Sequence, residues 1–219
     1  LIVDDHPIVR QGLCRLIETE DDLTVCGEAE GARDARAAVK ELNPDVVIAD
    51  ISLKQGDGIE LVRDVRAHYA DLPILVLSVH DETIYAERLL TAGATGYVTK
   101  RAASAQLLVA LRRVLQGKIY VSDTVGNDML RKLASGNACV SVNPMDGLSN
   151  RELQILLMMG NGISTRDTAN SLNLSIKTVE SHRQRIKRKL NLATGTKLVQ
   201  YAVNFCTGRE LASQGSKMS

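Results

Sequence analysis

The chain has no tryptophan and one phenylalanine in 219 residues, so its cores must be packed by Leu, Val, Ile and Ala. Its four cysteines, Cys14, Cys26, Cys139 and Cys206, form no Cys-x-x-Cys pair and no Cys/His cluster. That scatter argues against structural zinc and against a disulfide framework, and for reduced thiols. No apolar run approaches the roughly 18 residues a membrane span needs, and no signal-peptide pattern is visible. Cytoplasmic location without membrane association is the expectation, and because Leu1 opens an apparent strand without Met, a few residues are expected upstream. Net charge of one sign is also lacking, at +1 overall.

That balance conceals an asymmetry. Residues 1–117 carry 13 Lys and Arg against 19 Asp and Glu, a net of −6, whereas residues 118–219 carry 14 against 7, a net of +7. An acidic half joined to a basic half points to two domains with different partners, the basic one facing a polyanion.

What the first half does contain is a set of short apolar runs that end in reactive polar residues. Leu1-Ile2-Val3 meets Asp4-Asp5, and Val46-Val47-Ile48-Ala49 meets Asp50. Ile74-Leu75-Val76-Leu77 meets Ser78, and Gly96-Tyr97-Val98-Thr99 meets Lys100. Strands are expected at residues 1–3, 23–27, 45–49, from 74, and at 96–98. Helical patterns at 7–18, 32–41, 59–68, 82–91 and 104–116 alternate with them, and a glycine turn lies at 54–58. Strict β–α alternation predicts a doubly wound parallel sheet with helices on both faces. Ligands of such sheets sit at the carboxyl ends of the strands. Any one of these polar residues alone reads more often as a helix cap; all four strand ends, in order, read as one site.

Three carboxylates, a hydroxyl and an ammonium at one place are the chemistry of a Mg²⁺-assisted phosphoryl acceptor. A carboxylate that receives a phosphoryl group needs a divalent cation to relieve anion repulsion, plus a fixed cation and a donor on the transferring oxygens. Asp4, Asp5 and Asp50 supply the metal site, since Mg²⁺ takes oxygen ligands and keeps waters. Lys100 neutralises one phosphoryl oxygen and Ser78 binds another. His80 is assigned no role, and Asp57 reads as a turn former.

On these residues the first 117 positions resemble the receiver domain of bacterial two-component response regulators, a flavodoxin-like fold. The resemblance implies that Asp50 is the phosphoacceptor and takes its phosphoryl group from a sensor histidine kinase. It implies Mg²⁺ on Asp5, Asp50 and the Ser52 carbonyl, with Asp4 acting mainly through water. It further implies that Ser78 and Lys100 bind the phosphoryl group, and that Tyr97 is an aromatic switch turning inward as Ser78 moves. Val79 follows Ser78 where the family often has a smaller residue, implying altered access to Asp50.

Residues 118–147 are rich in Asp, Asn, Ser and Gly and read as a linker with one short helix near 124–133. From Leu148 the pattern is wholly helical. Ser149 with Glu152 forms a capping-box signature, and Ser164 or Thr165 caps a short second helix. Asn173-Leu174-Ser175 makes a tight turn, and Ser175 caps a third helix reaching Leu190. Val179, Ile186 and Leu190 form the third helix's apolar stripe. Its other face carries Lys177, Glu180, Ser181, Gln184, Arg185 and Arg188, with Lys187 and Lys189 on the flanks. Short helix, tight turn and basic helix are helix-turn-helix order, with basic residues suited to phosphates and Ser and Gln to base edges.

Residues 148–207 resemble the LuxR-type helix-turn-helix domain, in the NarL/FixJ arrangement behind a receiver. The resemblance rests on Leu148-Ser149-Asn150-Arg151-Glu152, Gly162-Ile163-Ser164, Ala169, Leu172-Asn173-Leu174-Ser175, Thr178-Val179-Glu180-Ser181-His182 and Lys189-Leu190. It implies that the third helix enters the major groove of double-stranded DNA, with contacts from Lys177, Thr178, Ser181, Gln184, Arg185, Lys187 and Arg188. It also implies that a last helix around 197–204 helps form a dimer, and a homodimer is expected when the chain is phosphorylated. Glu180 stands where many relatives place a base-reading Lys, and Thr168 where an Ile is common. The expected layout is a receiver at 1–117, a linker at 118–147, the DNA-binding domain at 148–208 and a tail at 209–219. An Asp-nucleophile phosphohydrolase of the haloacid dehalogenase type is the rival, but it needs an acid two residues after Asp50, where Ser52 stands. A constitutive DNA-binding protein with a degenerate receiver is disfavoured, since every phosphorylation residue is present. A regulator rather than an enzyme is therefore expected.

Overall fold

A computed structural model describes residues 1–53, 57–102, 104–134 and 144–215 and divides into two compact units, Leu1–Ser141 and Val142–Ser219. Residues 54–56 of the expected turn, Cys139, linker residues 135–143 and the end of the tail at 216–219 lie outside the described residues.

In the first unit β1 (Ile2–Val3), β2 (Glu28–Ala29), β3 (Val47–Ala49), β4 (Ile74–Ser78) and β5 (Gly96–Thr99) form one parallel sheet in the order β2-β1-β3-β4-β5. The helices between them are α1 (Pro7–Ile17), α2 (Ala32–Leu42), α3 (Gly58–His68), α4 (Glu82–Ala92) and α5 (Ser104–Leu115). Alternate strand residues Ile2, Ile48, Leu75, Leu77 and Val98 share a core with Leu13 and Ile17 of α1 and with Leu107, Leu108, Leu111 and Val114 of α5. Side chains of a strand alternate between faces, so the intervening residues turn to the other side, where α3 packs between α2 and α4. The doubly wound sheet is thus as the alternating pattern predicts.

Two boundaries differ from the sequence reading. The second strand is at Glu28–Ala29, not 23–27, in register with Ile2 and Val3. Leu23 and Val25 do pack against the α1–α5 core, so their alternation marks burial. The ladder begins only where the Gly27 carbonyl accepts from Ile2 N at 3.1 Å, because pairing follows the partner strand rather than the apolar pattern. The short helix, α6 (Asp123–Ala134), is not suspended in a linker. Tyr120 lies along β5, its carbonyl accepting from Tyr97 N at 2.8 Å and its amide donating to Thr95 O at 3.1 Å. Glu82 of α4 then accepts from Ser122 N at 2.7 Å, Val125 is buried, and Lys132 pairs with Glu87 of α4.

The second unit holds a 3₁₀ turn (Pro144–Gly147), α7 (Asn150–Gly160), α8 (Thr165–Ser171), α9 (Ile176–Lys189) and α10 (Gly195–Gly215). Ser149 and Glu152 make the full capping box, and Ser164 and Ser175 cap α8 and α9 through the amides of Asp167 and Thr178. The α8–α9 turn passes through Asn173 at φ 51°, a left-handed conformation that Asn tolerates. Val179 and Ile186 turn inward, and α7 packs on both α9 and α10. The last helix runs to Gly215, beyond the expected span of 197–204 and into the expected tail, since no Pro stops it. Among the described residues, no helix is long and apolar enough to cross a membrane.

Candidate functional site

Parallel register assembles the first site. Val3 pairs with Ala49, so Asp4 and Asp50 leave adjacent strands together, with Asp50 N donating to Val3 O at 2.8 Å. Ser78 pairs with Thr99, which sets Lys100 one residue beyond, its amide donating to Ser78 O at 2.7 Å. The expected residues therefore converge, and burial is nearly complete: Asp4 is 1%, Asp50 3% and Ser78 0% exposed.

Lys100 Nζ donates to Asp4 Oδ2 at 2.5 Å and to Asp50 Oδ2 at 2.7 Å. Burial works against the ammonium charge, but Asp50 and Asp4 outweigh it and hold the Lys100 pKa above its ordinary value. The other Asp50 oxygen, Oδ1, accepts from Ser52 N at 3.0 Å. Asp4, Asp5, His6 and Asp50 each offer a ligand atom, all within 4.8 Å of one another. An oxygen-dominated donor set carrying more negative charge than one lysine neutralises fits a hard divalent cation such as Mg²⁺.

At the rim, Tyr97 is buried with its ring inward, and its hydroxyl donates to His80 O at 2.9 Å. Burial holds that phenol's pKa well above the usual value. Ser78 Oγ accepts from His80 N at 3.2 Å, while Val79 is exposed. Asp57 caps α3 by accepting from Ile59 N at 2.9 Å, and Gly58 packs so tightly that an added Cβ would lie 2.3 Å from Ile51 Cα and 2.9 Å from Asp50 O.

Three contributors escaped the sequence reading. His80 Nε2 lies 2.8 Å from Ser52 Oγ, and its ring stacks on Tyr85 at 4.8 Å, joining two loops above Asp50. His6 Nδ1 lies 2.7 Å from Asp5 Oδ1 and 3.1 Å from Asp4 Oδ1. Arg10 of α1 donates to Asp4 O at 2.7 Å, to Glu28 at 3.0 Å and to Glu30 at 2.7 Å, fixing the acid pair from behind. Arg10 sits at helical spacing inside an amphipathic pattern, and nothing local distinguishes it from a surface cation.

In the second unit α9 presents Lys177, Ser181, Gln184, Arg185 and Arg188 to solvent, with Lys187 half-buried. Thr178 is less available than expected, because its Oγ1 lies 2.8 Å from Ser175 Oγ in the cap. The Ser181 hydroxyl donates to Lys177 O at 2.9 Å, leaving the oxygen to act as an acceptor. Lys189 turns under the helix to Glu152 Oε2 at 2.7 Å. His182 also faces inward, and burial, then Arg185, keep its pKa below the ordinary value.

Comparison with known proteins matches both units. The family described as the response regulator receiver domain matches residues 1–112, and that described as bacterial regulatory proteins, luxR family, matches residues 146–202. The chain is 35% identical over 216 residues to the response regulator UvrY of Escherichia coli, spanning 98% of each. It is 34% identical over 208 residues to the oxygen regulatory protein NreC of Staphylococcus epidermidis, spanning 93% of this chain and 95% of NreC. RcsB of Salmonella enterica serovar Typhimurium, solved on the rprA promoter with the phosphomimetic BeF₃⁻, aligns at a TM-score of 0.56 and 28% identity, covering 92% of this chain and 96% of RcsB. A sheet whose strand ends gather three carboxylates, a serine and a lysine, followed by a capped helix-turn-helix, thus belongs to the NarL/FixJ family of two-component response regulators with a LuxR-type DNA-binding domain.

Proposed function

We propose that Asp50 accepts a phosphoryl group from a sensor histidine kinase and that this modification controls dimerisation and sequence-specific DNA binding by α9. The supporting observation is the Asp50 carboxylate, buried at the carboxyl end of the central strand, with one oxygen on Lys100 Nζ at 2.7 Å and Asp4 and Asp5 alongside. In the transfer, a carboxylate oxygen of Asp50 forms a bond to phosphorus as the bond from phosphorus to the donor's imidazole nitrogen breaks. Asp5, Asp50 and the Ser52 carbonyl would hold Mg²⁺, with Asp4 supporting them. The bound ion supplies positive charge against the transferring oxygens. Lys100 exchanges its carboxylate partners for a phosphoryl oxygen, and the Ser78 hydroxyl binds a second one.

Ser78 and Tyr97 both meet His80, one through its amide and the other through its carbonyl. Motion of Ser78 toward the phosphoryl group therefore pulls on the loop that holds the Tyr97 hydroxyl. That coupling biases the β4–α4 surface between two states, and the phosphorylated state favours a dimer whose two α9 helices meet paired half-sites. Lys177, Arg185, Lys187 and Arg188 serve phosphates, while Ser181 and Gln184 serve base edges; Thr178 sits in the cap beside them.

The test is operator or genomic DNA binding by wild type and Asp50→Ala, with Mg²⁺ and with or without acetyl phosphate. A single modification of wild type at Asp50, with tighter DNA binding that the variant lacks, is the expected result. Wild-type binding that ignores the phosphodonor overturns the reading.

A further inference from the structure

α9 carries one acidic side chain, Glu180, among six Lys and Arg residues. On the helical wheel it stands beside Gln184, one turn earlier, on the side of the outward face nearer α8. Its Oε1 is held by two donors: Thr165 Oγ1 of α8 at 3.3 Å and Arg183 Nη1 at 3.4 Å. Arg183 Nη1 is itself tied to Thr165 Oγ1 at 2.6 Å, and the Glu180 side chain remains 49% exposed. Among the described residues, no hydrogen bond reaches Oε2. One oxygen is anchored, and in this half-exposed side chain the other is left to take a donor.

We propose that Glu180 is a specificity-determining residue that accepts a hydrogen bond from the N4 amino group of a cytosine in each half-site. This rests on the reading of α9 as the recognition helix. A carboxylate brought toward DNA phosphates is repelled, and an exposed ion pair as long as that with Arg183 stabilises the fold little. The contact that offsets the repulsion is a base-edge donor. In the major groove only cytosine N4 and adenine N6 present amino donors, and adenine places its N7 acceptor beside N6, against the second carboxylate oxygen. Guanine O6 and N7 and thymine O4 are acceptors and oppose Glu180 outright. Thr165 and Arg183 act as positioning residues: they fix the carboxylate before DNA arrives and reduce the side-chain freedom lost on binding.

The test uses the full-length chain, with Mg²⁺ and acetyl phosphate, selecting from randomised DNA duplexes, followed by affinities on the selected and point-substituted duplexes. Wild type is expected to select cytosine at one fixed position per half-site and to lose about tenfold in affinity when guanine replaces it. Glu180→Ala is expected to lose that preference alone, Glu180→Gln to move it toward adenine, and Glu180→Lys to convert it to guanine. Matching melting curves establish that each variant folds. Identical selected motifs for wild type and Glu180→Ala overturn the contact while leaving α9 as the reading element. A wild type that selects no sequence overturns the reading of α9 and the Glu180 contact with it.

Discussion

Lys100 and Lys189 each meet a buried carboxylate at 2.7 Å, one at the sheet edge and the other beneath α9. The partners Asp50 and Glu152 are almost equally hidden, at 2% and 3% side-chain exposure, but the lysines are 12% and 42% exposed. Under α9 the count is even, one carboxylate to one ammonium, and the carboxylate's other contacts belong to the Ser149 cap. In the receiver pocket Lys100 is shared between Asp4 and Asp50, with Asp5 beside them, so negative charge is left over. A balanced pair joins two helices and asks for nothing more. An overcharged cluster is poised for a further cation and for a group whose oxygens can take over the lysine.

The largest expected effect follows from removing the shared lysine. Lys100→Ala leaves Asp4 and Asp50 buried without their common cation, a loss of about 3 kcal/mol in the stability of the first unit. Because the pocket suits a divalent cation, added Mg²⁺ should recover much of that deficit. Urea denaturation in EDTA and in Mg²⁺ measures this directly, and an equal deficit in both sinks the account of the pocket as an overcharged site. Phosphorylation of the variant should fall sharply even in Mg²⁺, since the cation proposed to receive the phosphoryl oxygen is gone.

A backbone change tests the pocket's rigidity. A methyl group at Gly58 would press on Ile51 and on the Asp50 carbonyl. Gly58→Ala is therefore expected to cost about 2 kcal/mol through overpacking, and to slow Asp50 modification beyond any effect of unfolding. Unchanged phosphorylation in the folded variant would mean the loop yields without moving the carboxylate. The second unit has no stake in this contact, so its DNA binding at saturating modification should be untouched.

How much of this was readable from the chain depends on how local the cause is. Strand ends carrying Asp4, Asp50, Ser78 and Lys100 were legible because each follows an apolar run, and parallel topology fixes where such ends meet. The Ser149–Glu152 box and the Ser175 cap were legible because capping is written within four residues. Strand β2 was misplaced because Leu23 and Val25 signal burial, while hydrogen bonding is set by β1, whose paired residues lie twenty-six positions earlier. His80, His6 and Arg10 were missed for a similar reason. Their importance lies in partners from other strands and loops, and a lone histidine or a helical arginine carries no pattern of its own. The docking of α6 was hidden as well, since Tyr120, Ser122 and Lys132 meet β5 and α4 only in three dimensions.

The balanced pair makes a smaller prediction with a definite pH sign. Burial pushes the Glu152 carboxyl up, but Lys189 and the Ser149 cap outweigh it and leave its pKa lowered. Its contribution is therefore present above the unfolded value, about 4.3, and is lost as pH falls through the lower folded value. Glu152→Gln keeps a capping-box side chain but gives up the charge, so the second unit should lose about 1 kcal/mol at neutral pH. That gap should narrow toward acid in melting curves taken at falling pH. A gap independent of pH would assign the loss to packing instead of charge.

The smallest effect on stability, and the clearest on function, belongs to the cations with no buried partner. Lys187 lies on the flank of α9, and Lys187→Ala should change stability by less than about 0.5 kcal/mol. If it touches only phosphate, binding should weaken by a similar factor on every DNA sequence, and the salt dependence of log Kd should flatten by about one unit of slope. Gln184, on the outward face, should behave differently: Gln184→Ala relaxes base preference at one position and leaves the salt slope as it was. Affinities of both variants on a set of point-substituted duplexes, each at several salt concentrations, separate the two roles. The salt dependence is the sharper of the two readouts, because a released counterion registers there whatever sequence the helix is reading. A flattened slope for Gln184→Ala, or a sequence-dependent loss for Lys187→Ala, would exchange the assignments and place the base-reading face nearer α8.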